Sequence, residues 1–395
     1  MNELTPQLFS VSILLSVICI SNPTYAVDDC ELNGKPIDTG NGKTTEGKSG
    51  LIRCIDRDSG ELRREEELLN GSFEGVVRYF RAGKLQSEFS QTKIGNKHGL
   101  YREFESGQLV KEQMYNNGST EGLSRYWSLD GKLKRVTFSG KERRGEVVAY
   151  AEWADNGLLY ELQCGPKPVL KPEFDDEKYC GHSGKPGTVE LFSYKGMLST
   201  RSVYEVGKLI QRTRFWDDGK TVSREHEITT KNKIEREFSN TGVKLTEKEW
   251  VHNNDGVYYR KSELIYYITG ILQTERRWII IDSYESPVSV ASFYMNGQSQ
   301  SREEYTKKDS IFFISSKRYQ DNGKLSFEGH YLQEDGQPQR PDGVHSSYNE
   351  QGVLVNKKYY DEQGQITREQ SMSADGSIIS DKEVFADGSS RAYSK

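Results

Sequence analysis

Gly75-Val76-Val77-Arg78-Tyr79-Phe80-Arg81-Ala82-Gly83-Lys84-Leu85 decides the fold of this chain, because its plan returns at Gly99 to Leu109 and again at Gly122 to Leu133. Each copy carries a leading glycine, one or two aromatic residues, a second glycine, and an aliphatic residue two positions later. An aromatic residue ending an outgoing strand, a polar turn and an aliphatic residue opening a return strand make a β-hairpin. The return strand Leu109 to Tyr115 alternates apolar and charged residues with only a modest difference between its two faces.

The second glycine of the plan recurs along the chain at Gly60, Gly83, Gly107, Gly131 and Gly157, at intervals of 23, 24, 24 and 26 residues. From Gly196 it continues through Gly219, Gly242, Gly270, Gly297 and Gly323, and then at Gly352, Gly364 and Gly376. A period near 24 marks a repeat architecture. One hairpin cannot bury its own face, so neighbouring units must stack. The Asx-Gly pairs Asp130-Gly131, Asp218-Gly219, Asn322-Gly323, Asp375-Gly376 and Asp387-Gly388 are expected to supply positive φ in the tight turns. The expected fold is all-β, an elongated array of antiparallel β-hairpins.

Composition agrees with a thin fold. Of 395 residues, 34% are hydrophobic and 29% charged, while 37 glycines and an aromatic share of 11% argue against a disordered polyelectrolyte. The 54 Lys and Arg against 59 Asp and Glu leave a net charge of −5, which supplies no basic field for nucleic acid.

Leu8 to Ile20 is one apolar run, followed by Ser21-Asn22-Pro23 and the small residues Thr24 and Ala26 around a secretory cleavage site. Cleavage after Ala26 is expected, with an uncleaved anchor as the alternative. It would leave Cys30, Cys54, Cys164 and Cys180, an even number suited to a secreted or periplasmic chain. Three pairings are possible on paper, and Cys30 with Cys54 and Cys164 with Cys180 is the economical one. A metal reading of Cys164, Cys180 and His182 lacks a fourth ligand.

The units Gly75 to Phe89, Gly99 to Tyr115 and Gly122 to Phe138 resemble the MORN-repeat variant of the YwqK-type antitoxin family, whose plan reads G-x-x-x-x-Y-x-x-x-G-x-L before a charged strand. The resemblance runs from about Gly50 to the carboxyl end, with departures between Gly219 and Gly297. It implies an extended antiparallel β-structure and a binding role without catalysis.

Motifs for chemistry are weak. Gly42 to Ser49 matches the letters of a phosphate-binding loop, but no apolar strand precedes it and a repeat strand follows, so a flexible loop is expected. Gly181-His182-Ser183-Gly184 lacks the final glycine of a nucleophile elbow. The six histidines are scattered and read as solvated, and acidic runs such as Glu65-Glu66-Glu67 and Arg302-Glu303-Glu304 read as solvated strand faces. No catalytic residue, metal ligand or cofactor site is assigned.

Aromatic doublets remain. Adjacent strand residues point to opposite faces, so one ring of each pair should turn outward. Tyr79, Tyr126, Trp127, Phe215, Trp216, Tyr258 and Tyr359 are the candidate partner-binding rings. Such rings serve protein partners and glycans alike.

The sequence thus divides into a signal peptide (1–26), a disulfide-tethered segment (27–49), amino-terminal hairpin repeats (50–163), a stapled Gly/Pro-rich insertion (164–187) that is a linker or a binding loop, and carboxyl-terminal hairpin repeats (188–395). The expected function is that of a non-enzymatic periplasmic or secreted protein-binding repeat protein, most specifically an immunity or antitoxin protein that neutralises a toxic effector by direct binding. The alternatives are a cell-envelope glycan-binding module and a structural or adhesion module.

Overall fold

The computed structural model describes residues 28–393 apart from 142–144, 254–255, 282 and 335, so the expected signal peptide lies outside the described residues. All regular structure described is antiparallel strand, apart from two single helical turns at Gly42–Thr45 and Asp176–Tyr179. The chain divides into two compact units, one of Met1–Glu121 with Trp127–Gly131 and the other of Gly122–Tyr126 with Lys132–Lys395.

In the first unit Lys35–Pro36 pairs with Asp28–Leu32, which pairs in turn with Gly50–Asp56. Leu62–Leu69, Ser72–Arg81, Lys84–Gln91, Lys97–Glu105 and Gln108–Asn116 then follow side by side in chain order. In the second unit Leu133–Ser139, Val147–Trp153 and Leu159–Gln163 pair consecutively. A 17-stranded sheet then runs in strict chain order from Gly187–Phe192 to Ser390–Ala392. The expected all-β array of consecutive hairpins is what the chain forms.

Two kinds of turn reverse the strands. In the tightest, two residues separate paired strand ends, as Ala82 and Gly83 do between Arg81 and Lys84, with φ of 49° and 70°. Positive φ at both positions is the type I′ turn, whose twist matches that of the flanking strands. Ala82, Ser106 and Val206 occupy the first position, each in the left-handed region that side chains rarely adopt. In the longer turns only the glycine has positive φ. Asp218 works there through its carboxylate, which accepts the Lys220 and Thr221 amides at 2.9 Å each, while Gly219 takes φ of 67°. The Asx residues of the Asx-Gly pairs are therefore hydrogen-bond acceptors, and only their glycines carry positive φ.

Few side chains are deeply buried. Every residue of Asn232–Phe238 and of Lys244–His252 is half-buried, so neither face of these strands lies beneath a second layer. Burial concentrates in two places. Leu32, Ile52, Cys54 and Leu68 form a cluster in the first unit, beside the Cys30–Cys54 disulfide. In the second unit Val136, Ala149, Ala151, Leu162, Leu170, Val189 and Tyr204 pack around the 164–187 segment, which the Cys164–Cys180 disulfide closes. Both disulfides follow the economical pairing.

The 164–187 segment is packed as part of that core. Buried Asp176 accepts the Val169 and Leu170 amides at 2.6 and 2.9 Å. The Gly207 amide donates to the Cys180 carbonyl at 2.8 Å. A Cβ on Gly207 would lie 2.1 Å from the Gly165 carbonyl oxygen, so only glycine lets this turn meet the segment. With Cys164 and Cys180 joined, the metal reading of Cys164, Cys180 and His182 falls away.

Three further expectations are corrected. The loop expected at Gly42 to Ser49 contains a helical turn: Asn41 caps Gly42–Thr45 and strand Gly50–Asp56 follows. Within Glu65-Glu66-Glu67, Glu65 and Glu66 are buried: Arg53 and Arg78 on the adjacent strands hold Glu65, and Arg64 of the same strand holds Glu66, which also accepts from the Gln91 amide at 2.6 Å. His345 is buried rather than solvated. Phe327, Tyr331 and Tyr360 surround its ring at 5.4, 4.9 and 4.6 Å between centroids, and its Nε2–H donates to the His330 carbonyl at 2.7 Å.

Burial holds the His345 imidazole below its ordinary pKa, so the folded chain resists its protonation. The stability this group contributes is present above about pH 6.5, the unfolded value, and is lost as pH falls toward the folded value. Thermal denaturation of His345→Gln followed by circular dichroism should show a smaller loss of Tm between pH 6.5 and 5 than the unaltered chain. Gly207→Ala should lower stability by about 2 kcal/mol or more at all pH values, from the steric overlap with Gly165.

Candidate binding faces

The register of the first unit sorts its side chains into two unlike faces. On one face, directly opposed residues alternate in charge. Arg53 meets Glu65 at 3.1 Å, and the second Glu65 oxygen meets Arg78 at 3.5 Å. Arg78 meets Glu88 at 2.7 Å, Glu88 meets Arg102 at 3.7 Å, and Arg102 meets Glu112 at 3.2 Å. Six strands are crossed by one row of arginines and glutamates. Each link is partly exposed and worth little alone, but opposite charges in direct register fix which strand lies where.

Residues one position along point to the other face. Tyr79, Phe89, Tyr101 and Tyr115 form a row of rings there, with successive centroids 6.1, 6.1 and 5.9 Å apart. The Lys97 ammonium lies 4.9, 4.3 and 5.4 Å from the ring centroids of Phe89, Tyr101 and Tyr115. Burial, and then the Lys111 charge, hold the Lys97 pKa below its ordinary value. The Tyr101 hydroxyl donates to Glu103 at 3.1 Å, and burial first, then the Glu103 charge, push its pKa up to about 12. This face offers flat apolar area with a positive charge laid across it, which suits aromatic, aliphatic and acidic groups of a partner.

The seven candidate rings do not form one surface. Tyr79, 40% exposed, opens the ring row just described. Tyr126 and Trp127 end strand Ser119–Trp127, where the two units divide, and are half-buried. Phe215 is half-buried with the Arg201 guanidinium 5.7 Å from its ring. Tyr258 is 37% exposed and leans on the His252 ring at 4.8 Å, and Tyr359 donates its hydroxyl to Gln370 at 2.9 Å.

Trp216 is partly a strut between turns. Its indole N–H donates to the Ser239 carbonyl of the next longer turn at 3.0 Å. Tyr267 and Tyr294 repeat the device, donating to the carbonyls of Phe293 and Tyr319 at 2.9 and 2.8 Å.

Phe89, Tyr101, Tyr115 and Lys97 were not among the residues singled out by their doublets, since none has an aromatic neighbour in sequence. A signal for the opposite face did exist. Arg78 and Arg102 stand three residues after a leading glycine, and Glu88 and Glu112 five residues after a turn glycine. Among the described residues, no group of three or more His, Cys, Asp or Glu is placed to hold a metal ion. No helix described is long and apolar enough to cross a membrane.

No protein-family model and no curated protein sequence matches the chain. Solved structures match it weakly. The TcdB2-TccC3-Cdc42 crystal structure matches at 9% identity and a TM-score of 0.17, covering 86% of this chain and 18% of that one. The Photorhabdus luminescens Tc holotoxin pore matches at 12% identity and a TM-score of 0.16, again over 86% of this chain and 18% of that one. A Bacteroides fragilis protein of unknown function matches at 10% identity and a TM-score of 0.10, over 41% of this chain and 92% of its own. The chain thus spans about a fifth of the toxin-complex chains it matches.

The packing of Tyr101 has a direct spectroscopic consequence. A phenol whose folded pKa is raised contributes stability that is intact below pH 10 and lost as pH rises through the folded value. Ultraviolet titration of the tyrosinates should show one fewer phenol ionising near pH 10 in the unaltered chain than in Lys97→Ala with Glu103→Ala, where the ring row is opened to water.

Proposed function

We propose that this chain is a non-enzymatic binding protein of an oxidising compartment, periplasmic or secreted, and that it serves as an immunity or antitoxin protein neutralising a toxic effector by direct contact. The observation that carries the reading is the ring row Tyr79, Phe89, Tyr101 and Tyr115 with Lys97 across it, a partner-sized apolar strip held in place by strand register. Two disulfides support the compartment, as do the apolar run Leu8 to Ile20 and the cleavage signal at Ala26. The resemblance of the repeat to the antitoxin family supports the finer assignment.

A second reading rests on a separate feature. Tyr160 and Tyr194 stack with centroids 4.2 Å apart, and Tyr194 is 66% exposed, the flat platform on which a sugar ring packs. A cell-envelope glycan is the ligand this would favour.

Immobilised residues 27 to 395, with disulfides intact, should capture one dominant protein from envelope and secreted fractions, and that protein should lose its toxicity when bound. Tyr101→Ala with Lys97→Ala should weaken the capture about tenfold or more, the cost of removing a central anchor. Recovery of glycan fragments that Tyr194→Ala no longer binds would move the assignment to the envelope-binding reading.

A further inference from the structure

In the second unit, strands Leu198–Glu205, Lys208–Phe215, Val222–Ile228 and Asn232–Phe238 lie side by side. Their register sets Ser202 opposite Arg212, Arg212 opposite His226 and His226 opposite Glu235. Two positions along, Arg214 faces Arg224. All these residues share one sheet face, because directly opposed residues point the same way and positions two apart repeat the direction.

This pairing runs against the rule kept elsewhere. Rows such as Arg53 to Glu112 in the first unit, and Glu225 with Arg236 and Glu247 in the second, place opposite charges in direct register. Arg214 facing Arg224 places like with like, which costs stability, and Arg212 opposite His226 gains no carboxylate either. Arg224 has one carboxylate, Glu237 at 2.6 Å. Arg212 and Arg214 pair with no described carboxylate.

The row also holds buried polar atoms that make no hydrogen bond. Arg212 Nε, His226 Nε2 and Ser202 Oγ are buried atoms without a hydrogen-bond partner, and Ser202 is fully buried. Three unsatisfied polar atoms on successive opposed residues are a repeated cost, since each such group forfeits its hydration. Arg212 and His226 border a cavity of about 130 Å³ whose other lining residues are Arg214, Arg224 and Glu235. That volume equals a few waters' share of the liquid, the size of a tetrahedral oxyanion with part of its hydration. The acid of the lining, Glu235, is held by Lys233 at 2.9 Å, which offsets its charge, and stands 4.0 Å from His226 Nε2, beyond hydrogen-bond distance.

We propose that this face is an oxyanion-binding site, taking a phosphate or sulfate group between the guanidinium groups of Arg212, Arg214 and Arg224, with His226 as a further donor. Guanidinium groups bind such anions through paired, charge-assisted hydrogen bonds. The bound anion supplies the acceptors that Arg212 Nε and His226 Nε2 lack and removes the repulsion between Arg214 and Arg224. It also favours the protonated imidazole. The groups facing His226 from its neighbours are Arg212 and Arg214 on one side and Lys233 and Glu235 on the other; burial first, then the charges of Lys233, Arg212 and Arg214 against the opposing pull of Glu235, hold its pKa below the ordinary imidazole value without the anion. Binding is therefore tighter at pH 5.5 than at pH 8.

Calorimetric titration of the full chain with inorganic phosphate, sulfate and glycerol phosphate tests this. Saturable binding of all three is expected, with Arg212→Gln plus Arg214→Gln at least tenfold weaker and the exposed control Arg302→Gln unchanged. Glycerol phosphate binding as well as inorganic phosphate would show that the site accepts the group on a larger molecule; rejection of the ester would restrict it to the free ion. Because Arg214→Gln relieves repulsion, that variant alone should fold and melt no lower than the unaltered chain in anion-free buffer, while gaining less Tm on adding phosphate. No saturable binding, equal binding by the double variant, or an equal effect of chloride at matched ionic strength would overturn the site.

Discussion

Direct opposition of side chains across neighbouring strands is the interaction on which this structure depends. A sheet with no second layer over most of its strands cannot draw on a thick apolar core, so its specificity must come from what each strand presents to the next. Strands Asn232–Phe238 and Lys244–His252, half-buried throughout, show the condition in its plainest form. A slip of one residue would move every arginine of the Arg53 to Glu112 row to the face of the rings and set rings against carboxylates. Register is thereby fixed twice, once by charge on one face and once by aromatic and cationic packing on the other.

The ends of the strands carry a second system. Asx carboxylates and amides accept backbone N–H groups inside the longer turns, and Trp216, Tyr267 and Tyr294 donate across to the carbonyls of the next turn. The Asx bonds satisfy turn amides and the ring donors add a bond to turn or strand-end carbonyls, with no burial beneath another layer. An exposed indole or phenol here is thus compatible with a purely architectural duty. The ring row of the first unit is different, because its rings meet one another, from stacked at Tyr79 and Phe89 to edge-on at Tyr101 and Tyr115, and carry a lysine rather than closing a backbone group.

How far the sequence could be read follows from these two systems. The 24-residue recurrence of glycine and leucine exposed the hairpins and their order, since turn chemistry is local and survives in any single copy. The economical cysteine pairing was legible for the same reason, as each pair closes a short loop. What lay hidden was non-local. Burial of Glu65 needs Arg53 and Arg78 on two other strands, and enclosure of His345 needs Phe327, Tyr331 and Tyr360 around a glycine, Gly329, whose missing Cβ would otherwise lie 2.6 Å from the imidazole. Aromatic doublets do not point to the ring row, for a physical reason. Rings that meet across strands are separated in sequence by 10 to 14 residues, and adjacency along the chain sends the second ring to the opposite face.

A sheet built only from nearest-neighbour strand pairs is weakest where the pairs run out, and the deep burial lies where that weakness would begin. In the first unit the cluster of Leu32, Ile52, Cys54 and Leu68, with its disulfide, sits on the opening strands. In the second, the 164–187 segment packs onto Gly187–Phe192 and Leu198–Glu205, the strands that open the 17-stranded sheet. The far edge of that sheet is managed by other means: Ser390–Ala392 is three residues long, wholly exposed and carries Arg391 paired with Glu383 at 2.7 Å. A short, charged edge offers little template for a further strand. Apolar burial, scarce in this composition, is thus concentrated near the two disulfides, on the opening strands of both sheets and on the closing strands Leu133–Ser139 to Leu159–Gln163 of the 12-stranded one, while charge and brevity guard Ser390–Ala392 and middle strands such as Asn232–Phe238 keep both faces half-exposed.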